Sequence, residues 1–491
     1  MTDKEGITNA RDYTFPARER GRAVIYAAVP LSAGRIAQGQ YPVRHKAASI
    51  RTLAGHLQLS RTPVALAYEQ LLAEGFIESR PRSGYFAAVL KTNGTGTDAG
   101  RGAAPALSTL PPRAYHAPHH EQPAFDFGYG SVDIGQFPIT KWRRWMNRCI
   151  QQEGGRLLLY GELQGEEELR EEIAAYLHQT RGVRCLPEQI IVGAGTYHSL
   201  DLLFQLLAED VNRMAAEEAV NDGVKALLGR FRYPCIPLRL EKDGVSIEDV
   251  KQSGAQAVYV TPSHQFPFGM TLSAGKRMEL LQWAQQTGGY IIENDYDGEF
   301  RYGGRPIPSL QSMDEHGRVI YIGTFSKILT PSLRISYMVL PFPLLQRFHS
   351  PGHTYDQLAS PIFQHTLYHF MKSGELSRHI RKMRTLYQHK QQALLGHIRR
   401  LMGDQAEIIG AGSGLHILLR LSPEREEEEM IRSAGLAGVR VYPISVYALD
   451  PAHAPSSTVM LGYGGLSAQQ IEAGIERLAA AWFGQKPEAD S

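Results

Sequence analysis

Cysteine is almost absent. The chain of 491 residues has three, Cys149, Cys185 and Cys235, an odd number with no close spacing. That excludes a disulfide framework and a cysteine-based metal knuckle, and fits free thiols in a reducing compartment. Long apolar runs are also missing, and none approaches the roughly 20 residues of a membrane-spanning helix. The opening MTDKEGITNA is charged and polar, so no signal peptide is expected and the cytoplasm is the expected compartment. No internal repeat is present. A large charge of one sign is lacking as well, because the formal net charge is only +2.

The distribution of charge says more than its sum. Residues 1–90 hold 12 Lys/Arg against 7 Asp/Glu, a balance of +5, which leaves the remaining residues at −3. A basic module on a near-neutral body suits an anionic partner, although a merely solvated basic face gives the same count.

The length points to two or three domains, and 43% hydrophobic content supports a sizeable core. Residues 91–122, KTNGTGTDAGRGAAPALSTLPPRAYHAPHHEQ, keep no apolar period and read as a flexible linker, stiffer near Pro111-Pro112. Its histidines, His116, His119 and His120, read as polar filler rather than metal ligands. Upstream, Val24–Ile36 is expected to be a first helix. Ser49 caps a second carrying Ile50, Leu53, Ala54 and Leu57. Ser60 caps a third with Val64, Tyr68, Leu71 and Leu72 on one face, ended by Gly75. Phe76–Val89 alternates around Ser83-Gly84 as a β-hairpin does. Downstream, the apolar runs 189–192, 257–260, 290–293 and 319–322 are separated by helical patterns, which predicts a mainly parallel α/β sheet. A small α+β lobe is expected from about residue 341, with short strands and helices from Ala411.

Two helices joined by a turn at Gln58-Leu59 follow helix-turn-helix logic. The N-terminal residues of the second helix, Ser60, Arg61 and Thr62, would reach bases or phosphates of double-stranded DNA. Arg51 is placed for backbone phosphate, Ser49 is counted with it among the DNA-binding residues, and Arg80, Arg82 and Ser83 fit a wing. A small helical bundle uses the same caps for stability alone. The stretch Ser49–Phe86, SIRTLAGHLQLSRTPVALAYEQLLAEGFIESRPRSGYF, resembles the GntR-type winged helix-turn-helix. Pro63 departs from that pattern at a helix start, where proline is tolerated, and Tyr41-Pro42-Val43-Arg44 replaces its usual entry turn.

The second informative stretch is Tyr321–Tyr337, YIGTFSKILTPSLRISY. A strand ends at Gly323, and Thr324, Ser326, Lys327 and Arg334 follow in a short span. Pyridoxal phosphate (PLP) chemistry needs a lysine amine for the aldehyde, with cations and hydroxyls around a phosphate, and this loop offers all three. Gly193-Ala194-Gly195-Thr196 opens a helix after a strand, which is a place for an anion.

Together with TPSHQFPFGM and YIIENDYDGEFRY, these phrases resemble fold-type I aminotransferases, and more closely the MocR/GabR family of regulators. The resemblance covers nearly the whole chain. It implies that Lys327 holds the cofactor aldehyde as a Schiff base and that Tyr296 bonds the phenolic oxygen. Gly195, Thr196, Thr324 and Arg334 are implied at the phosphate, His264 and Gln265 among the cofactor-binding residues, and Tyr160 at the phosphate of a second subunit in a homodimer. No metal is implied. Three positions depart from the family. Asn294, 33 residues before Lys327, replaces the aspartate that pairs with the pyridine nitrogen, and the adjacent Asp295 should point the other way. Asn221 replaces a tyrosine near the ring, and Val446 replaces an arginine that serves an effector carboxylate in the GABA-responsive member.

The resulting expectation is a multidomain chain: a winged helix-turn-helix over 1–90, a linker over 91–122 and an aminotransferase-like PLP domain over 123–491. Its expected function is transcription regulation through operator DNA, sensing a small amine, amino acid, dipeptide or PLP, with at most weak transaminase activity. One rival is a working class I/II aminotransferase with an appended DNA-binding module, and Asn294 weighs against it. Another is a scaffold without cofactor, and Lys327 with Thr324 and Arg334 weighs against that.

Overall fold

In a computed structural model the protein is described over residues 46–89 except 58, and over 123–484 except 232, 305–306, 351–355, 451, 453–454 and 456. The expected helix Val24–Ile36 and the expected linker lie outside the described residues. The chain divides into two compact units, residues 1–116 and 117–491.

In the first unit Ser49 and Ser60 stand at the helix starts where the sequence puts them, but of the two only Ser49 makes a capping bond. Ser49 Oγ accepts the Thr52 N–H at 3.1 Å, ahead of the helix Ile50–Leu57. Ser60 precedes the helix Arg61–Ala73, which closes at Gly75 with φ +74°. Pro63 sits in the first turn, where its missing N–H breaks no helical bond. Strands Ile77–Arg80 and Gly84–Ala87 pair antiparallel, Arg80 opposite Gly84. Ala54, Val64, Tyr68, Leu71 and Ile77 form the buried core, and Tyr68 Oη ties it to the Ala48 carbonyl at 2.7 Å.

The second unit is built on a seven-stranded sheet. Its order is Ile190–Gly193, Ser336–Val339, Val319–Thr324, Tyr290–Asp295, Ala257–Val260, Met214–Glu217, Cys235–Leu238. All neighbours are parallel except Ser336–Val339, which runs against both of its partners. Helices cover both faces, so the central strands are buried throughout, which is why they read as unbroken apolar runs. The parallel strands bring their carboxyl ends to one edge, the usual place for a ligand in such sheets.

The smaller lobe has an antiparallel sheet, Ala406–Ile409, His416–Leu421, Thr458–Gly462, Tyr442–Pro443. The 28-residue helix Glu375–Met402 and the helix Ala468–Phe483 pack in its core. Helices Phe342–Phe348 and Pro361–Lys372, expected within this lobe, instead pack on the large sheet through Leu344, Phe348, Leu367 and Phe370. Their apolar faces match the large sheet's edge, and sequence periodicity does not say which sheet a helix covers. Phe125–Asp126 pairs with Val439–Arg440, so the start of this unit is stitched to its end. No helix among the described residues is long and apolar enough to cross a membrane.

Candidate cofactor site and nucleic-acid face

One cavity of about 200 Å³ opens at the carboxyl edge of the large sheet. Its lining includes Thr196, Asn294, Tyr296, Thr324, Ser326, Lys327 and Arg334, all singled out in the sequence. The loop geometry explains the convergence. The strand Val319–Thr324 delivers Thr324, whose Oγ1 accepts the Ser326 N–H at 3.2 Å and donates to Ser326 Oγ at 2.9 Å. Arg334 has a left-handed backbone, φ +51°. That conformation costs a non-glycine residue about 1–3 kcal/mol and is tolerated where the side chain must be aimed. Its guanidinium lies so close to Gly195 that a Cβ there would meet Nη2 at 2.0 Å. Gly195, with φ +97°, precedes the helix Thr196–Leu207, so a guanidinium and a helix N-terminus share one corner.

Lys327 is buried. Its Nζ donates to the Tyr129 carbonyl at 2.6 Å and lies 3.8 Å from that residue's ring centre. Burial pulls its pKa down to about 8, and the Asp297 charge only partly opposes this. Tyr296 Oη is 3.0 Å from His264 Nδ1, which is itself 2.9 Å from Asp297. An Nδ1–H shared between the Asp297 carboxylate and Tyr296 Oη leaves the Tyr296 hydroxyl hydrogen for the cavity. Burial first, and then Asp297, holds that phenol well above the ordinary range, so it acts as a donor.

Asn294 Nδ2 donates to Tyr259 Oη at 2.7 Å. Its Oδ1 is buried and has no hydrogen-bond partner among the described residues. Asp295 points away, as expected for the next residue of a strand. Its carboxylate accepts Arg181 Nε at 2.6 Å and Tyr321 Oη at 2.6 Å. Removing Arg181 would leave that buried charge unpaired. Arg181→Met is therefore expected to cost about 3–5 kcal/mol, read as a drop in the urea midpoint, and an unchanged midpoint would refute the pairing's importance.

Four expected cofactor ligands stand apart from the cavity lining: Gly195, which borders it through Arg334, and Tyr160, His264 and Gln265. Tyr160 is 86% exposed and is not among the lining residues. His264 is buried behind Tyr296 and orients it. Gln265 spends its amide on the turn around Pro267, accepting the Phe268 N–H and donating to the Phe266 carbonyl. Val446 is 46% exposed and also outside the lining. Asn221 lines the cavity and caps the helix Asp222–Arg230. Sequence reasoning missed Tyr129, Tyr197, Tyr259, Thr261 and Glu217, which also line it. Glu217 accepts from Thr261 Oγ1 at 2.6 Å, and burial outweighs that bond and raises its pKa to about 7.

In the first unit, Ser49, Arg51, Ser60, Arg61, Thr62, Arg82 and Ser83 are exposed. The Ser60 side chain makes no capping bond. Arg80 is less free than expected. Its guanidinium lies 4.6 Å from the Phe86 ring centre and 3.8 Å from Glu78, because a long cation covers the flat face of the neighbouring strand's aromatic.

Residues 124–478 match the family described as aminotransferase class I and II. The chain is 42% identical over 449 residues to the HTH-type transcriptional regulator YdeL of Bacillus subtilis, covering 91% of this chain and 93% of that one. It is 34% identical to the probable rhizopine catabolism regulatory protein MocR of Rhizobium meliloti, covering 88% of each. The multiple substrate aminotransferase of Thermococcus profundus superposes with a TM-score of 0.66 at 23% identity, over 73% of this chain and 90% of that one. With a relative this similar along nearly its whole length, the chain belongs to the MocR-type family of HTH-type regulators that carry an aminotransferase class I and II domain.

Proposed function

We propose that this protein is a PLP-containing transcription regulator. Residues 1–90 would act as the winged helix-turn-helix that binds operator DNA, 91–122 as the linker, and 123–491 as the sensing domain. The observation that carries the reading is the shared cavity of Lys327, Arg334, Thr196, Thr324 and Asn294 in a chain whose relatives are named as regulators. PLP fits this donor set: an amine for its aldehyde, a guanidinium and hydroxyls for its phosphate, and a free phenol for its ring oxygen. The orphaned Asn294 Oδ1 suits its ring nitrogen. When bound, the cofactor supplies a reactive aldehyde and a ring that draws electrons while its nitrogen is protonated. Of the residues outside the lining, His264 would orient Tyr296, and the exposed Tyr160 would serve the partner's site in a homodimer. A small amine, amino acid, dipeptide or PLP in the cavity would bias DNA binding by favouring one of two domain arrangements.

The test is binding to double-stranded DNA selected from a random pool. Affinity should fall steeply with salt as Lys and Arg release counterions. Arg61→Ala should cost about 1–3 kcal/mol if the side chain reads a base. Salt-independent binding, or equal binding by a fragment starting at residue 123, would refute the assignment.

A further inference from the structure

Tyr197 is a half-exposed phenol in the first turn of the helix Thr196–Leu207, and it forms part of the cavity wall. A side chain so placed is ordinarily free to swing. Here its hydroxyl is held by Asn221 Oδ1. The same oxygen accepts the Gly223 N–H at 3.0 Å and so caps the next helix, Asp222–Arg230. One amide therefore fixes both a helix start and the position of a ring.

Gly223 gives an independent indication. Its φ lies outside the positive region, so the backbone does not require glycine there. A helix favours alanine over glycine by about 1 kcal/mol. Yet a Cβ at 223 would come within 2.1 Å of Tyr197 Cζ and 2.4 Å of its Oη. The missing side chain makes room for the phenol. Val220 and Val224 line the cavity beside it, and Asn294, Lys327 and Arg334 bring it their polar ends.

We propose that Tyr197, positioned by Asn221 and seated on Gly223, is the aromatic wall against which the PLP ring is held. This rests on the cofactor reading above. Offset contact between two rings adds to the gain from burying their faces. Neither Asn221 nor Gly223 would touch the reacting atoms, so both are positioning residues.

The experiment is equilibrium dialysis of PLP against the full chain. Tyr197→Ala should weaken binding about tenfold or more, while Tyr197→Phe, which keeps the ring and loses only the Asn221 bond, should weaken it severalfold less than that. Gly223→Ala should also weaken binding, without lowering the thermal midpoint of the cofactor-free chain, because alanine favours the helix. That separates displacement of the ring from loss of folding. Native affinity in Tyr197→Ala, or an equal loss in Tyr197→Phe, would overturn the proposal and leave the cofactor reading standing. A native chain that takes up no PLP would overturn both.

Discussion

Borohydride reduction of the PLP-loaded chain should leave one phosphopyridoxyl group on Lys327, and Lys327→Ala should carry none. The loaded native protein should absorb near 330 nm or above roughly 400 nm, and the variant should lose that band. The argument lies in the burial of Lys327 beside Tyr129. An amine attacks an aldehyde only when unprotonated. With its pKa lowered to about 8, roughly 10% of Lys327 is neutral at pH 7, against about 0.03% for an ordinary lysine. Its buried place in the cavity lining, with a lowered pKa, makes Lys327 a better nucleophile near neutral pH than an ordinary lysine. The sign is set by the direction of the shift. The rate of attachment should climb about tenfold per pH unit below pH 8 and level off above it. A rate still climbing to pH 10, or label spread over other lysines, would refute the assignment.

The elements legible in the sequence were those whose signals are local. Ser60 before an apolar period and Gly75 after it mark a helix with no outside help. The strands Ala257–Val260 and Val319–Thr324 announce themselves because both of their faces are buried. The span from Thr324 to Arg334 gathers hydroxyls, an amine and a guanidinium within one loop, so Thr324, Ser326, Lys327 and Arg334 are legible together. Tyr129 was invisible because it meets Lys327 from 198 residues away. Phe125–Asp126 is too short to show a period, and its partner strand lies near the other end of the chain. His264 and Gln265 are expected to bind the cofactor because their phrase, polar and at a strand's end, belongs to the resemblance. The strand's end does place them beside the cavity, but the Pro267 turn and the Asp297 carboxylate claim their polar atoms.

Asn294→Asp should raise the rate of amino transfer from an amino acid by on the order of a hundredfold, the scale on which one well-aimed electrostatic group acts. The native chain should be slow, because transfer needs the ring nitrogen to keep its proton. Asn294 Oδ1 can accept that N–H, but an amide brings no charge to hold it there. Asp295 does not substitute, since Arg181 and Tyr321 occupy its carboxylate. The remaining carboxyl among the described lining residues is Glu217. Its pKa is raised to about 7 by burial, so its charge is present above pH 7 and fades below it. The two sources of charge therefore predict different profiles. If residue 294 decides the matter, the native rate stays low from pH 6 to 9 and Asn294→Asp is fast across that range. If Glu217 serves the ring, the native rate climbs through pH 7, Glu217→Gln abolishes the climb, and Asn294→Asp adds little. A panel of amino acids scored for keto-acid product at several pH values distinguishes them. Rapid multiple turnover by the native chain at every pH would sink both accounts and favour a working aminotransferase. Slow turnover, with ligand amines still shifting the absorbance, is what a sensor requires, because a ligand that is consumed cannot report its own concentration.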